Sequence, residues 1–412
     1  MEILTFGCAV NQADSEAIKG LLKAGGLDKA DVVVVNTCTV KSPTENKILK
    51  RLRQLRHEGK AVVVAGCIPP ARPGIVDEFP NFSFVGVNTE DIVEAVRCAV
   101  RGERYVNIAS GKDKTTLPCI RENPVVGIVP ICEGCLGGCS YCQTKFARGE
   151  LKSYPIRGIV NKVKGYVEEG AREIWITAQD TGAYGQDIGS SLPELFDKVV
   201  SVDGDFKVRV GMMNPDHARG MLDELVRAYE NYKIYKFLHL PVQSGDDRVL
   251  RDMGRRYTVE EFKTVVDAFR KLNVTLSTDV IVGYPTEDEK AFRNTVELVE
   301  EVKPDVLNVS RYWPRPGTKA AKLKQHPGME TKRRSGIMSQ VFKSVGLGRN
   351  SKWIGWCGNA LVSEANVDGT FTARNDWYKP IVIKDGELGE NVKVEVKKAT
   401  YYDLRGKVVS GY

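Results

Sequence analysis

The first hundred residues alternate short apolar runs with longer polar stretches. The runs cover residues 2–6, 31–36 and 61–66, and each is followed by a stretch, such as 43–57, that suits a helix. Short runs of β-branched residues predict buried strands, and their regular alternation with helices predicts parallel pairing through βα units. We therefore expect an α/β domain with a parallel sheet over residues 1–105.

The same alternation resumes after a polar linker near residues 105–124. Six apolar runs, each separated from the next by an amphipathic stretch, predict strands at 125–131, 172–178, 206–212, 235–241, 274–282 and 305–312. Six successive βα units are typical of a partial (β/α)6 barrel, in which the residues at strand carboxyl ends line the active site. We expect this barrel to occupy residues 120–345.

The pattern changes again in residues 346–412. Short alternating stretches there are separated by Gly, Asn and Asp, which predicts a small antiparallel β-barrel. The expected fold is therefore α/β, with an amino-terminal parallel-sheet domain, a central partial barrel and a carboxy-terminal β-barrel.

Charge modifies this picture in one segment. The 412 residues hold 60 Lys and Arg against 53 Asp and Glu, but residues 311–353 hold eleven basic residues and a single acid, Glu330. A basic segment favours a phosphate-bearing partner, although a solvated helix face would look similar. No apolar run approaches the roughly 18 residues of a membrane span, and the start MEILTFGC lacks a signal-peptide pattern. We expect a cytoplasmic protein with no membrane association.

Cysteine is the main candidate for chemistry, because ten cysteines accompany only four histidines. Cytosolic thiols are kept reduced, which favours metal or redox chemistry over disulfides. Cys8, Cys38 and Cys67 each follow a predicted strand, and parallel strands end at one edge of their sheet. Free cysteines are also common as small buried residues. Three in phase with the fold, and without histidine, suit an iron–sulfur cluster with one open iron better than a closed zinc site.

A second group of cysteines lies in the segment CEGCLGGCSYC, residues 132–142. As two CxxC pairs it could bind zinc, but paired motifs of that kind usually stand a dozen or more residues apart. Read instead as Cys135-x3-Cys139-x2-Cys142, it resembles the loop of the radical S-adenosylmethionine (SAM) enzymes. In that family the loop carries a [4Fe-4S] cluster whose fourth iron binds SAM. Cys132 is extra to that pattern, as a bystander or an alternative ligand.

The radical SAM resemblance implies further contacts to the cofactor. Tyr141 occupies the position where the family usually has an aromatic residue near the SAM adenine. Polar residues at the ends of the predicted barrel strands are candidate SAM or substrate contacts, although each could simply cap a helix or complete a turn. They are Gln179, Asp180, Asn214, Gln243, Asp279 and Arg311.

The whole chain resembles the methylthiotransferases. The matching stretches are GCAVNQADSE (7–16), NTCTV (36–40), AGC (65–67), GCLGGCSYC (134–142), FARGE (146–150), LPVQSGDDRVLRDMGRRYT (240–258), TDVIVGYPTE (278–287) and RYWPRPGTKAA (311–321). Residues 143–155, 176–189 and 238–244 look most like the archaeal and eukaryotic branch that acts on N6-threonylcarbamoyladenosine at position 37 of tRNA. In that family one SAM methylates sulfur, and a second yields the radical that removes hydrogen from adenine C2.

This resemblance implies two [4Fe-4S] clusters and SAM as cofactors. Cys8, Cys38 and Cys67 would hold an auxiliary cluster that presents the sulfur, and the central trio would hold the radical-generating cluster. The carboxy-terminal region resembles the TRAM domain, an RNA-binding β module.

Substrate contacts are expected from basic side chains. Lys332, Arg333 and Arg334 are candidates for tRNA phosphates, and Arg374 could act with the aromatic residues Phe371, Trp377 and Tyr378 on bases or phosphates. The alternative for those four residues is the core of the barrel or a docking face to the central domain. Arg209 and Arg315 suit the threonylcarbamoyl carboxylate, because a guanidinium fork matches that group.

The expected function is therefore a tRNA methylthiotransferase that acts as a monomer with tRNA, a sulfur donor and an electron donor, the last two unidentified. One alternative is a methylthiotransferase for a ribosomal protein side chain. The other is a non-catalytic, zinc-stabilised RNA-binding protein.

Overall fold

The computed structural model describes residues 1–109 and 111–409. Its amino-terminal region is a parallel sheet whose strands lie in chain order, β1 (Glu2–Thr5), β2 (Val33–Thr37), β3 (Val62–Gly66), β4 (Ser83–Val85) and β5 (Val106–Asn107). The helices are α1 (Ala9–Ala24), α2 (Ser42–His57), α3 (Ile68–Ala71), α4 (Ile75–Glu78) and α5 (Ile92–Val100), with a 3-10 turn at Thr89–Asp91. The predicted parallel sheet is confirmed. The sequence did not predict β4 and β5, because strands of three and two residues are too short to show a period.

The valine runs of this sheet are explained by its two covered faces. Val35 and Val64 pack against one set of helices, and Val34 and Val63 pack against the other. A strand buried on both faces has no polar alternation to show. The sheet therefore holds its strand ends, and the loops that follow them, on a rigid support.

The central region is an open arc of six parallel strands, as predicted. They are β6 (Val126–Pro130), β9 (Glu173–Thr177), β10 (Lys207–Val210), β11 (Phe237–His239), β12 (Thr275–Val282) and β13 (Val306–Arg311). Two three-stranded sheets, β6-β9-β10 and β11-β12-β13, make up the arc. The two sheets are joined by a hydrogen bond from the Met213 backbone N–H to the His239 backbone carbonyl, at 3.0 Å. After β6, the short strands β7 (Cys132–Glu133) and β8 (Lys152–Ser153) pair antiparallel, and residues 134–151 form the long connection between them.

Helices cover the outer face of the arc. They are α7 (Ile156–Glu168), α8 (Leu192–Val200), α9 (Pro215–Gly220), α10 (Leu222–Tyr229), α11 (Asp247–Asp252), α12 (Val259–Arg270) and α13 (Glu289–Val302). The short helix α6 (Thr144–Arg148) packs instead against α3 of the amino-terminal region, and 3-10 turns lie at Thr181–Ala183 and Ala320–Lys322. The strands and helices share one continuous hydrophobic core. The open face of the arc contacts the amino-terminal region, where Ala13 of α1 packs against Val126 and Ile128.

A long helix, α14 (Gly328–Ser351), leads out of the arc. Its buried residues recur every four positions, at Arg334, Met338, Phe342, Gly346 and Asn350. A Cβ on Gly346 would lie 2.8 Å from the Tyr401 carbonyl oxygen, so glycine permits this close approach. The expected domain boundary at residue 345 falls inside this helix, because the buried stripe continues to Asn350.

The carboxy-terminal region is a closed five-stranded barrel, as predicted. Its strands are β14 (Cys357–Ala365), β15 (Phe371–Arg374), β16 (Pro380–Ile383), β17 (Asn391–Ala399) and β18 (Leu404–Val408), in the order β14-β15-β16-β18-β17. All neighbours are antiparallel except β16 and β18. Among the described residues, no helix has the length and apolar character needed to cross a membrane.

The barrel packs against the amino-terminal ends of the central strands. Glu173, fully buried at the start of β9, accepts hydrogen bonds from the hydroxyls of Tyr235 (3.1 Å) and Tyr378 (3.0 Å). The buried Lys379 ammonium lies 2.7 Å from the Asp305 carboxylate. We call this contact the floor of the central region. It leaves the opposite end, where the strands terminate, for chemistry.

Candidate active site

Three strand ends bring together the amino-terminal cysteines. Cys8 follows β1, Cys38 follows β2 and Cys67 follows β3. The Asn11 amide oxygen lies 3.6 Å from the Cys8 sulfur and 3.8 Å from the Cys67 sulfur. Gly7 has φ +120°, and a Cβ there would stand 3.0 Å from the Cys38 sulfur. The structure thus places these thiols around one point, as the strand periodicity predicts.

Burial makes these thiols resist ionisation. It raises the pKa of Cys38 to about 12 and also raises the pKa of Cys67, while Cys8 is exposed. Thiolates rather than thiols bind metals, so a cationic group must repay the cost of ionising the buried pair. A sulfur-only donor set with one exposed member fits an iron–sulfur cluster that is open on one side.

The central trio occupies a single loop between β7 and α6. Cys135, Cys139 and Cys142 are partly buried, and the Gly137 amide donates to the Cys135 sulfur at 3.1 Å. A Cβ on Gly137 would stand 3.2 Å from the Cys135 sulfur and 3.6 Å from the Cys139 sulfur. The loop therefore folds two of its thiols around one glycine. Burial and the nearby Asp180 raise the pKa of Cys135 to about 11.

In the described part of the chain, no three His, Cys, Asp or Glu side chains surround a single metal-ion position. A cluster makes a different demand, because each of its thiolates binds a separate iron. Cys132 is not one of these candidate ligands. It is 1% exposed and packs into the hydrophobic core of the central region, which favours the bystander interpretation.

A polar chain runs beside the central trio. The backbone N–H of Asn214 donates to the buried Asp180 carboxylate at 3.0 Å, and burial raises the pKa of that carboxyl. The Arg255 guanidinium donates to the Asn214 side-chain oxygen and to the Tyr141 hydroxyl. The predicted residues Tyr141, Asp180 and Asn214 are thus brought together. Arg255 was not predicted, because it follows a helix rather than a strand, although it lies in the matched stretch 240–258.

Two buried polar atoms beside these hydrogen-bonded residues have no partner in the described structure. They are the Gln179 side-chain oxygen and the Arg255 Nε. Buried polar groups are normally hydrogen-bonded, so unmatched ones indicate a missing polar partner. A cofactor that carries amino, carboxylate and ribose groups fits both atoms.

A second polar group lies across the arc, on β11 to β13. The His239 ring nitrogen lies 3.1 Å from the Asp279 carboxylate, and the Asn308 amide donates to the same group at 2.6 Å. Burial alone would raise the pKa of Asp279, but these two neighbours lower it below its ordinary value. The predicted Gln243, at φ 70°, lies beside this group, because its backbone N–H donates to the backbone carbonyl of Asp279 at 2.8 Å; a cofactor contact of its side chain stays a prediction. His239 was not predicted, although it lies in the matched stretch 238–244.

A buried ion network connects the two cysteine sites. Arg148 of α6 donates to Asp14 at 2.7 Å and to the Asn11 amide oxygen at 3.3 Å. It also pairs with Glu133, while Lys114 lies 2.7 Å from Asp14 and 3.2 Å from Glu133. Burial opposes each charge, but the opposite charges prevail, so the pKa of Asp14 is lowered and that of Lys114 is raised. No local sequence pattern predicts this network.

Several predicted substrate contacts are corrected by the structure. Arg315 is 5% exposed and bound to Glu45, so its guanidinium is not free for a substrate carboxylate. Arg334 is 4% exposed and bound to Glu287. Arg374 donates to the Glu364 carboxylate at 2.6 Å. In all three cases the guanidinium charge is already neutralised by a neighbouring glutamate of this protein.

The other basic candidates differ in exposure. Arg333 is exposed but pairs with Glu289 and Glu330. Arg209 lies within β10, with its guanidinium 5.4 Å from the ring centres of both Trp175 and Phe237. Arg311 stacks 5.0 Å from the Trp313 ring centre, and Lys332 is exposed on α14. Arg209, Arg311, Arg333 and Lys332 remain predictions.

The aromatic candidates pack in the core of the carboxy-terminal barrel or against the central region, as the alternative interpretation predicts. Tyr378 is 7% exposed in the floor, and the Trp377 and Trp353 ring centres are 5.2 Å apart. Phe371 packs against the core of the carboxy-terminal barrel. These rings stabilise the domain and its contact with the central region, so they are not free platforms for bases.

Comparisons with known proteins agree with this architecture. The family models that match are Uncharacterized protein family UPF0004 over residues 1–85, Radical SAM superfamily over 129–299 and TRAM domain over 359–409. Among solved structures, the radical S-adenosylmethionine methyltransferase TsrM from Kitasatospora setae has a TM-score of 0.53 at 14% identity. That match covers 73% of this chain and 68% of TsrM. At this identity the likeness concerns the fold alone.

Curated relatives match over the full chain. The probable threonylcarbamoyladenosine tRNA methylthiotransferase of Pyrococcus abyssi is 46% identical over 99% of both chains, and that of Archaeoglobus fulgidus is 43% identical over 99% of this chain and 98% of its own. The human threonylcarbamoyladenosine tRNA methylthiotransferase is 38% identical over 99% of this chain and 74% of its own length. The resemblance predicted from the sequence is confirmed, and the chain belongs to the threonylcarbamoyladenosine tRNA methylthiotransferase family.

Proposed function

We propose that this chain converts N6-threonylcarbamoyladenosine at position 37 of tRNA to its 2-methylthio derivative. The observation that carries the proposal is the contact between the loops that bear the two cysteine trios, which come from different domains. Thr39, next to Cys38, and Gln143, next to Cys142, are directly hydrogen-bonded. The names of the full-length relatives support the nucleoside and the tRNA substrate.

The residues fit the cofactors of the family. Cys135, Cys139 and Cys142 would hold the cluster that binds SAM, and Cys8, Cys38 and Cys67 would hold the second [4Fe-4S] cluster. Bound there, the cofactors supply radical chemistry at an unactivated C–H bond and the methylthio group, which side-chain acids and bases cannot supply.

The protein's own residues position and enclose these groups. Arg255 places a buried cation beside Cys139 and Tyr141, where it suits a carboxylate of the bound cofactor. On its other side Arg255 donates to the Asn214 side-chain oxygen, and Asn214 is fixed in turn by its hydrogen bonds to Asp180. The His239–Asp279–Asn308 group presents a polar edge that suits the base or its threonylcarbamoyl group.

The tRNA is expected to approach from the strand-end side, with Lys332 as a phosphate contact. The TRAM domain match supports RNA as the partner. The sequence predicts functional domains at 1–105, 120–345 and 346–412; because α14 ends at Ser351, we propose 120–351 and 352–412 for the last two. A cytoplasmic location, a monomeric state and separate sulfur and electron donors also remain predictions.

The proposal is tested with anaerobically reconstituted protein, SAM, a reductant, a sulfur source and tRNA carrying the threonylcarbamoyl group. Mass spectrometry of the digested nucleosides should show the 2-methylthio product, and tRNA with unmodified adenosine should give much less. Product on a ribosomal protein but not on tRNA would support the first alternative. Zinc without iron in the anaerobically purified protein would support the second.

A further inference from the structure

We infer that Arg315 is a positioning residue that clamps the loop of one cysteine trio to the loop of the other. This inference rests on the proposed function for its kinetic consequence, but not for its structural one. The clamp consists of Arg315, Gln143, Thr39 and Glu45, and it lies where the amino-terminal and central regions meet.

Gln143 is the centre of the clamp. It follows Cys142 directly, is 3% exposed, and its side-chain oxygen accepts from the Arg315 Nε at 2.9 Å. The same oxygen accepts from the Thr39 hydroxyl, one residue after Cys38. Its side-chain nitrogen lies 3.5 Å from the Ala71 carbonyl, at the end of the helix that begins after Cys67. One glutamine therefore follows one of the six cysteines directly and touches the segments that follow two others.

Arg315 fixes Gln143 in this orientation. Its guanidinium donates to the Thr39 hydroxyl at 2.7 Å and to the Ser42 hydroxyl at 2.8 Å, and it pairs with the buried Glu45 carboxylate. Five N–H groups in a rigid plane suit several acceptors at fixed angles, which a flexible ammonium cannot match. Removal of the guanidinium would leave Glu45 with only the more distant Arg72, at 3.7 Å, and Gln143 without its main donor.

The clamp bears on function because the two trios must act on one adenine. Radical formation needs only the central trio, whereas sulfur insertion needs both sites at a fixed separation. Small misplacements cost reactivity steeply. A loosened clamp should therefore leave SAM cleavage intact and lower the yield of methylthio product per cleavage.

The test compares Arg315→Gln with Arg334→Gln in the reconstituted full-length protein. Arg334 is a matched control, because it is equally buried in an ion pair, with Glu287, and none of its described hydrogen bonds or ion pairs reaches a residue of the clamp. In Arg315→Gln, we expect the ratio of methylthio product to 5′-deoxyadenosine to fall about tenfold or more. In Arg334→Gln the ratio should equal that of the unsubstituted protein. An unchanged ratio in Arg315→Gln would overturn the inference.

Two further measurements separate positioning from general damage. Amide hydrogen exchange over residues 38–45 and 143–148 should speed up in Arg315→Gln and not in Arg334→Gln. Thr39→Val, a milder change of similar shape, should lower the product ratio in the same direction, and Arg315→Lys should restore only part of it. Unchanged exchange would overturn the inference even if no tRNA product forms. Absence of product from the unsubstituted protein would instead overturn the proposed function.

Discussion

The two cysteine trios are built in opposite ways. The central trio lies within eight residues of one loop, so its geometry is mainly local. The amino-terminal trio comes from three loops about thirty residues apart, and it exists only when three parallel strands are paired. Its supporting charges come from a different domain, through Arg148. A local site can keep its shape when distant contacts fail, whereas the composite site depends on sheet and domain packing together.

The largest effects are expected when each trio is removed in turn. Cys135→Ala/Cys139→Ala/Cys142→Ala should abolish 5′-deoxyadenosine formation and methylthio product. Cys8→Ala/Cys38→Ala/Cys67→Ala should abolish product but retain deoxyadenosine formation, because the central loop does not need the other trio to fold. Each variant should lose about half of the iron, which falls from about eight to about four atoms per chain. Complete iron loss in either variant would show that the two sites are interdependent.

A smaller effect is expected from Arg148→Gln. The substitution leaves two buried carboxylates, Asp14 and Glu133, with Lys114 as their cation. Breaking a buried pair in this way costs about 3–5 kcal/mol of unfolding free energy. Urea denaturation followed by tryptophan fluorescence measures the change. A loss below about 1 kcal/mol would mean that the network adds no more than a surface ion pair.

Glu16 gives a pH test of the packing of α1 against the linker, since its carboxylate accepts from the Glu122 amide at 3.2 Å. It is 1% exposed on α1, and burial raises its pKa to about 7. A carboxyl whose folded pKa exceeds its unfolded value takes up a proton on folding, so its unfavourable effect grows as pH rises from about 4.5 to about 7. Glu16→Gln should remove this pH-dependent loss of unfolding free energy and stabilise the protein at pH 8 by up to about 3 kcal/mol. Parallel stability curves for the two proteins between pH 5 and pH 8 would contradict it.

The smallest effect should come from Lys145→Met, one turn before Arg148 in α6. Lys145 donates to the Cys135 carbonyl and to Glu150, whose side chain is 82% exposed. Exposed pairs contribute little, so we expect a loss of about 0–1 kcal/mol in the same urea experiment. A loss as large as that of Arg148→Gln would show that the central loop also depends on its ion pairs.

The sequence predicted the features that follow from period and spacing. Valine runs located β2 and β3, and the cysteines one βα unit apart located a site at the sheet edge. Spacing within a single loop located the central trio. In each case the signal lies in neighbouring residues, and the fold adds only the convergence of parallel strand ends.

The sequence did not predict which charges are buried. Arg148 and Arg315 look like surface residues, and their acidic partners Asp14 and Glu45 lie more than a hundred residues away in the chain. Tyr378 likewise looks like an RNA-stacking residue until its hydroxyl is seen to donate to Glu173. Such roles depend on which domains meet, and no local pattern contains that information.

The floor of the central region bears on how this protein can be divided. Glu173 relies on a hydroxyl from the carboxy-terminal barrel, and Asp305 relies on Lys379 from the same barrel. Truncation after α14 would therefore uncover a carboxylate and an aromatic cluster at the base of the arc and leave both acids short of partners. The barrel resembles a separable accessory module, but here it is a required half of an interface, and insertions, fusions or domain exchanges should be designed on the intact pair.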